Sequence, residues 1–314
     1  MCLAWATRLL LALALGVGGT GLLSLMYAPP ARAATTLTWD GGDLLNVVWS
    51  DATNWNPDLV PSAGDRLVFP AVAPDKTNTN DLAAGFDIAS LSIDTGYTIS
   101  GNAIDLTNPD AQISTTGTST FAPDLTLSAD TTISGTGTLT LSGVVSGSGV
   151  GLTMSGSGTV TLSGANTYTG STTVTAGTLR IGAADRIADA SALNVTGGTF
   201  ALNGFNEAVG SLQGTGGTVS LGGNTLTVTQ GSSQTFAGVI AGAGGALTKT
   251  GASSLTLSGN NTYTGATTVS AGTLLLSHAN ALGTTAAGTT VASGATLELN
   301  DVDVGAEALT LNGG

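Results

Sequence analysis

From about residue 84 onward the chain repeats one small pattern: two apolar side chains two residues apart, with Thr or Ser around them. Leu91 and Ile93, Leu125 and Leu127, Leu139 and Leu141, Val160 and Leu162, and Leu179 and Ile181 show it first. Phe200 and Leu202, Val219 and Leu221, Leu226 and Val228, Leu255 and Leu257, Leu274 and Leu276, and Leu297 and Leu299 continue it. Alternation of period two places each pair on one face of an extended chain and the hydroxyl residues on the other, so these are short strands. No stretch carries a helical period of comparable length. Gly147-Ser148-Gly149, Gly216-Gly217 and Asn203-Gly204 mark tight corners between the strands. Strands this short, separated by corners this regular, predict a parallel β-solenoid in which the chain coils and pairs with itself one level up. The expected fold is all-β, a right-handed single-stranded parallel β-helix with an N-terminal cap. Roughly eleven coils of about twenty residues, with strands about 4.8 Å apart, would give a stack on the order of 50 Å long.

Superimposed on this pattern is a block that occurs twice without a gap. Residues 152–182 read LTMSGSGTVTLSGANTYTGSTTVTAGTLRIG and residues 247–277 read LTKTGASSLTLSGNNTYTGATTVSAGTLLLS. A unit with too small an apolar face to bury alone must stack on neighbours. Leu162, Val174 and Leu179, with Leu257, Val269 and Leu274, are expected to point inward. Asn166 and Asn261 stand at turns, where an amide suits either backbone bonding or an asparagine ladder. Gly170, Gly177, Gly265 and Gly272 fit positive φ or close backbone approach. Tyr168 and Tyr263 are expected to pack beside the coil with their hydroxyls reaching solvent.

Composition narrows the picture. Of 314 residues 47 are Gly, yet no Gly-X-Y period is present, and 41% are apolar, too many for a disordered linker. Aromatics at 4% suit a thin core drawn out along an axis. The only cysteine is Cys2, at the extreme N-terminus, so the chain expected to remain after removal of a leader has neither a disulfide nor a thiol nucleophile. Seven basic residues face twenty acidic ones, a formal charge of −13 that disfavours nucleic acid and anionic membrane as partners.

Residues 1–33 carry Arg8, an apolar run and a small-x-small end at Ala31-Arg32-Ala33, the form of a secretory signal peptide cleaved before Ala34. A retained anchor over residues 9–27 is the alternative. Residues 34–83 change texture, with Trp39, Trp49 and Trp55 among prolines and aspartates. Large aromatics close the open end of a stack, so this segment is read as a cap; a sugar-stacking platform is the alternative. Asp40, Asp43 and Asp51 supply hard oxygen atoms, but their spacing matches no calcium loop.

Catalytic chemistry finds little support. The sole histidine, His278, sits in a loop-like Ser-His-Ala-Asn segment. Gly135-Thr136-Gly137 and Gly214-Thr215-Gly216-Gly217 open no βαβ unit and are not nucleotide fingerprints. Carboxylates in the repeat region, Asp185, Asp189, Glu207, Glu298, Asp301, Asp303 and Glu307, are scattered. The basic positions are not shared between the copies: Arg180 aligns with Leu275 and Lys249 with Met154. No catalytic, cofactor or metal residue is assigned. The alternative class is a carbohydrate-active β-helix enzyme, a polysaccharide lyase or glycosidase, which would need paired carboxylates or a base beside cations.

The segments GSGTVTLSGANTYTGSTTVTAGTL at 156–179 and GASSLTLSGNNTYTGATTVSAGTL at 251–274 resemble the autotransporter-associated β-strand repeat, also called the passenger-associated transport repeat. The segments at 191–204 and 211–251 are similar to linking coils of that family, and the opening TWDGG and NWNPDLVPSAGDRLVF resemble the start of many such proteins. The resemblance implies an exported, non-catalytic passenger region, residues 84–314, with a structural or adhesion-like role. Its repeats would assist passage across the outer membrane. It implies a secreted or cell-surface location, outer-membrane associated where a translocating β-barrel is encoded downstream. Cell-surface glycans or host and neighbouring cells are the implied partners, with the passenger itself monomeric. The chain ends in mid-pattern at LTLNGG, which reads as a fragment truncated at the C-terminus.

Overall fold

The computed structural model describes residues 33–108 and 112–313. The expected leader and the alternative anchor at 9–27 lie outside the described residues, Ala33 excepted. The described chain is all-β, a parallel β-solenoid of about twelve coils, close to the eleven expected. Its strands form sheets of thirteen, nine, six and four.

One coil shows how the sequence builds this. Leu125–Leu127, Thr131–Gly135 and Thr138–Leu141 follow one another around the coil, and Val145–Ser146, Leu152–Met154 and Thr159–Leu162 lie directly above them. These three positions are here called walls one, two and three. Parallel pairs such as Leu125 with Val145 and Leu139 with Val160 set the coil at 20 or 21 residues. Each strand finds its ladder one coil away, so nearly all strand pairing is between segments distant in sequence. Wall three is the nine-stranded sheet. Wall two is most of the thirteen-stranded sheet, continued above Ser211–Gln213 by the four-stranded one. Wall one starts in the thirteen-stranded sheet, with Ile104–Leu106 and Leu125–Leu127, and resumes at Glu207–Val209 in the six-stranded sheet.

The alternation read from the sequence maps directly onto this stack. On wall three, Leu139, Val160, Leu179, Phe200, Val219 and Ile240 pair in succession and are all buried. Beside them Thr138, Thr159, Thr178, Thr199 and Thr218 form a parallel column on the outside. In-register stacking of like side chains is what a parallel sheet with one buried face rewards. The pattern weakens at the top, where Leu299, Leu309 and Leu311 are exposed.

At the other end Thr36–Trp39 pairs parallel with Asp65–Phe69 and antiparallel with Trp55–Asn56. Asp65–Phe69 in turn pairs with Phe86–Ile93, which joins this segment to the solenoid. Trp39, Trp49 and Trp55 are each fully buried. Trp55 meets Trp39 edge-on at 5.2 Å and Trp49 at 5.9 Å, and Phe69 lies 5.6 Å away. The three indole N–H groups donate to Asp75 O, Asn78 Oδ1 and Trp49 O. With no indole face open, the sugar-stacking alternative has no surface to use.

Trp55→Ala removes the centre of this aromatic cluster and should destabilise the protein by about 3–5 kcal/mol. Leu45→Ala, at a side chain 98% exposed, should leave stability unchanged. Urea denaturation followed by far-UV circular dichroism checks both; equal midpoints for the two variants would show that the cluster does not stabilise the fold.

Candidate functional site: the two coil-bridging repeats

The repeated block is where sequence and structure are most specific. In the first copy Thr167 N donates to Val145 O at 2.8 Å and Thr169 N to Gly147 O at 2.9 Å, so Asn-Thr-Tyr-Thr lies over wall one. In the second, Thr262 N donates to Ile240 O at 2.8 Å and Thr264 N to Gly242 O at 3.1 Å, which places the same residues over wall three. The strands shift accordingly. Leu152–Met154 and Thr159–Leu162 occupy walls two and three, whereas their counterparts Ala246–Thr250 and Ser254–Leu257 occupy walls one and two. The 95-residue offset is not a whole number of coils, so the second copy is displaced around the coil by one wall.

The hydrogen bonds are nevertheless the same in both places. Asn166 Oδ1 accepts from Val145 N on the coil below at 2.8 Å, and its Nδ2 donates to Arg186 O on the coil above at 2.8 Å. Asn261 repeats this with Ile240 N at 2.8 Å and Ala281 O at 2.6 Å. Each amide thus ties three successive coils through backbone groups, rather than joining a side-chain asparagine ladder. The hydroxyls of Thr169 and Thr264 accept from Gly149 N and Gly244 N. Gly164 and Gly259 sit where the coils touch: a Cβ there would lie 2.0 Å from Gly143 O and 1.8 Å from Gly238 O.

The tyrosines correct the expectation of solvent-reaching hydroxyls. Tyr168 and Tyr263 are fully buried, and their hydroxyls bond Thr172 and Thr267 Oγ1 at 2.6 Å each. Burial pushes both phenols above their ordinary pKa. Each threonine stands four positions after its tyrosine, across the corner between adjacent walls, so the hydroxyl meets a partner inside the coil. The predicted inward positions Leu162, Val174, Leu179, Leu257, Val269 and Leu274 are all buried.

Where wall one lacks strands, side chains take over the ladder. Glu207 is buried and accepts from Arg186 N at 3.0 Å and Ile187 N at 2.8 Å. Loss of solvation, with Asp185 and Asp189 adding repulsion, raises its carboxyl to about 7 despite those two bonds. Lys249 is buried as well, its Nζ held by Thr250 O, Gly251 O and Ala271 O at 2.7, 2.8 and 3.0 Å. Burial pushes its amine pKa down. Neither role was visible in the sequence, where Lys249 merely replaces the buried Met154.

Other candidates are occupied by local structure. Asp51 accepts from Thr53 N, Thr53 Oγ1 and Asn46 Nδ2, and Asp43 from Leu45 N, so these carboxylates hold turns. Among the described residues no group of three or more His, Cys, Asp or Glu is gathered as a metal site. His278 Nδ1 accepts from Asn280 N within its own turn.

Two closely matched units set at different walls of a parallel solenoid define a repeat protein whose module carries its own bonding scheme. The family model of the passenger-associated-transport-repeat matches residues 152–181 and 247–276. The chain is 41% identical over 146 residues to the "Adhesin BmaC autotransporter" of Brucella suis biovar 1 (strain 1330); the match takes in 45% of this chain and 4% of that protein. No solved structure matches the chain. The chain thus carries two copies of the passenger-associated-transport repeat and is similar, over less than half of its length, to a small part of an autotransporter adhesin.

Asn166→Ala and Asn261→Ala each leave a buried backbone N–H without its acceptor and should each cost about 1–3 kcal/mol. The two losses should be similar although the residues stand on different walls; a loss confined to one copy, read from urea midpoints, would show the bonding schemes to be inequivalent in effect. Glu207 gives a pH dependence of definite sign. Its folded pKa lies above its unfolded value, so its contribution is fully present below about pH 4.5 and is lost as pH rises through about 7. Glu207→Gln should flatten the fall in urea midpoint between pH 5 and 8, and an unchanged slope would assign that fall to other groups.

Proposed function

We propose that this chain is a non-catalytic passenger segment of an autotransporter-type surface protein. In this reading residues 84–314 form a stiff solenoid that holds adhesive surfaces away from the cell, and residues 34–83 cap its first open edge. The single observation that carries the reading is the recurrence of one coil-bridging scheme on two different walls, within a sequence similar to an adhesin passenger. A unit that bonds the coil below and the coil above supplies stacking wherever it falls, which suits a chain that emerges from a membrane pore and must fold as it appears. The partners in this reading are a translocating β-barrel and glycans or other components of a host or neighbouring cell surface. The location is the cell exterior, and the passenger acts as a monomer.

The test is display of the whole chain, fused to a β-barrel translocator, on a Gram-negative host lacking its own adhesins. Protease access to an N-terminal tag on intact cells reports export, and cell binding reports adhesion. Asn166→Ala/Asn261→Ala should lower surface exposure several-fold relative to the parent; equal exposure would remove the repeats from export. Cell binding no greater than that of the barrel alone would remove the adhesive role.

A further inference from the structure

The longest sheet of the solenoid stops part-way up wall two. It runs from Asp65–Phe69, with a register shift at Asp65/Arg66, to Ser211–Gln213. On the next coil Gly231 N still donates to Gly210 O at 3.3 Å, but residues 231–233 are exposed and outside any strand. Leu212 N, which a continued ladder would pair with a backbone carbonyl, is instead taken by Oε1 of the buried Gln230 at 3.3 Å. Gln230 Nε2 in turn donates to Ser232 O at 2.7 Å, which holds this segment in place. Pairing resumes through a single bridge between Gly214 and Phe236.

The interruption leaves a depression of about 610 Å³ on the outer surface, within the size range of ligand sites. Asn194, Gln213, Gln234, Thr196, Thr235 and Thr256 line it. Asn194 and Gln213 are direct partners on neighbouring strands, so two amides stand one above the other beside a row of hydroxyls. No charged side chain is among the lining residues.

We infer that this groove binds a neutral oligosaccharide. The inference rests on the adhesive reading above and names its ligand class. Each amide offers donors and an acceptor in one plane, which matches the adjacent hydroxyls of a sugar ring. Carboxylated or sulfated polymers find no cation in the groove and a chain of formal charge −13 around it. An added peptide strand needs an open sheet edge, and this surface is a sheet face whose backbone bonds are directed along the wall. Nucleic acid finds neither basic nor aromatic side chains among the lining residues. With no aromatic ring to stack on, affinity at a single site is weak, and firm attachment comes from many displayed copies.

Binding of linear hexasaccharides of glucose, mannose and xylose to the whole chain, measured by ligand-observed NMR and calorimetry, tests this, with polygalacturonate as the anionic comparator. At least one neutral hexasaccharide should bind, and Asn194→Ala/Gln213→Ala should weaken it on the order of tenfold. Gln213→Glu, a surface change that places charge in the groove, serves as a second variant should the first fold poorly. Thr153→Val, on the same outward column two coils away, should have no effect. Failure of all three neutral sugars to bind, equal binding by the groove variants, or preference for polygalacturonate would overturn the proposal. The cell-binding assay separates the two readings: adhesion that survives both groove variants overturns the groove alone, whereas adhesion absent from the parent overturns the adhesive role beneath it.

Discussion

Everything in this molecule depends on backbone hydrogen bonding between segments one coil apart. An extended chain carries a donor and an acceptor at every residue, and burying the inside of a coil three or four residues wide leaves no water to satisfy them. The parallel ladder does so by pairing each strand with the segment about twenty residues away. The consequence, beyond the Trp cluster, is a thin core of a few Leu, Val or Ile side chains per coil, joined by an occasional ring such as Phe121, Tyr168, Phe200, Phe236 or Tyr263. Stability then accumulates coil by coil rather than through one large centre.

Among the described residues the ladder is interrupted on each wall, and side chains take part in the repairs; on wall three, above Val239–Ala241, Asn261 bonds Ile240 N and Ala281 O. On wall one, Asn166 and Glu207 bond the backbone of residues 186 and 187, where no strand forms. On wall two, Gln230 takes the N–H of Leu212. The repairs differ in consequence. An amide is neutral and satisfied from both sides, so Asn166 and Asn261 bridge their coils without an ionisable group. A carboxylate in the same kind of position suffers from lost solvation, and Glu207 makes the fold sensitive to pH. The Gln230 repair leaves a bulge, and beside it the groove of about 610 Å³ on wall two.

The displaced second copy of the repeat shows what the module specifies. Its bonds run to the coils immediately below and above, and nothing in them refers to the remainder of the solenoid. The same residues therefore work on wall one and on wall three. The Gly164 and Gly259 positions make this possible, since a side chain there would occupy the carbonyl oxygen of the coil beneath.

Alternation of period two and the corner glycines were enough, by themselves, to predict the parallel solenoid and a coil of about twenty residues. They also determined the inward rows through Leu162, Leu179, Leu257 and Leu274. These are local signals, because the side of a strand on which a residue falls depends only on its parity. The tertiary structure decided the rest. Whether Tyr168 faces water or Thr172 depends on which wall lies across the corner, and whether Asn166 joins a ladder or bridges coils depends on what the neighbouring coils place beside it. The burial of Glu207 and Lys249 and the groove beside Asn194 and Gln213 likewise follow from the register between segments some twenty residues apart, which no local pattern encodes.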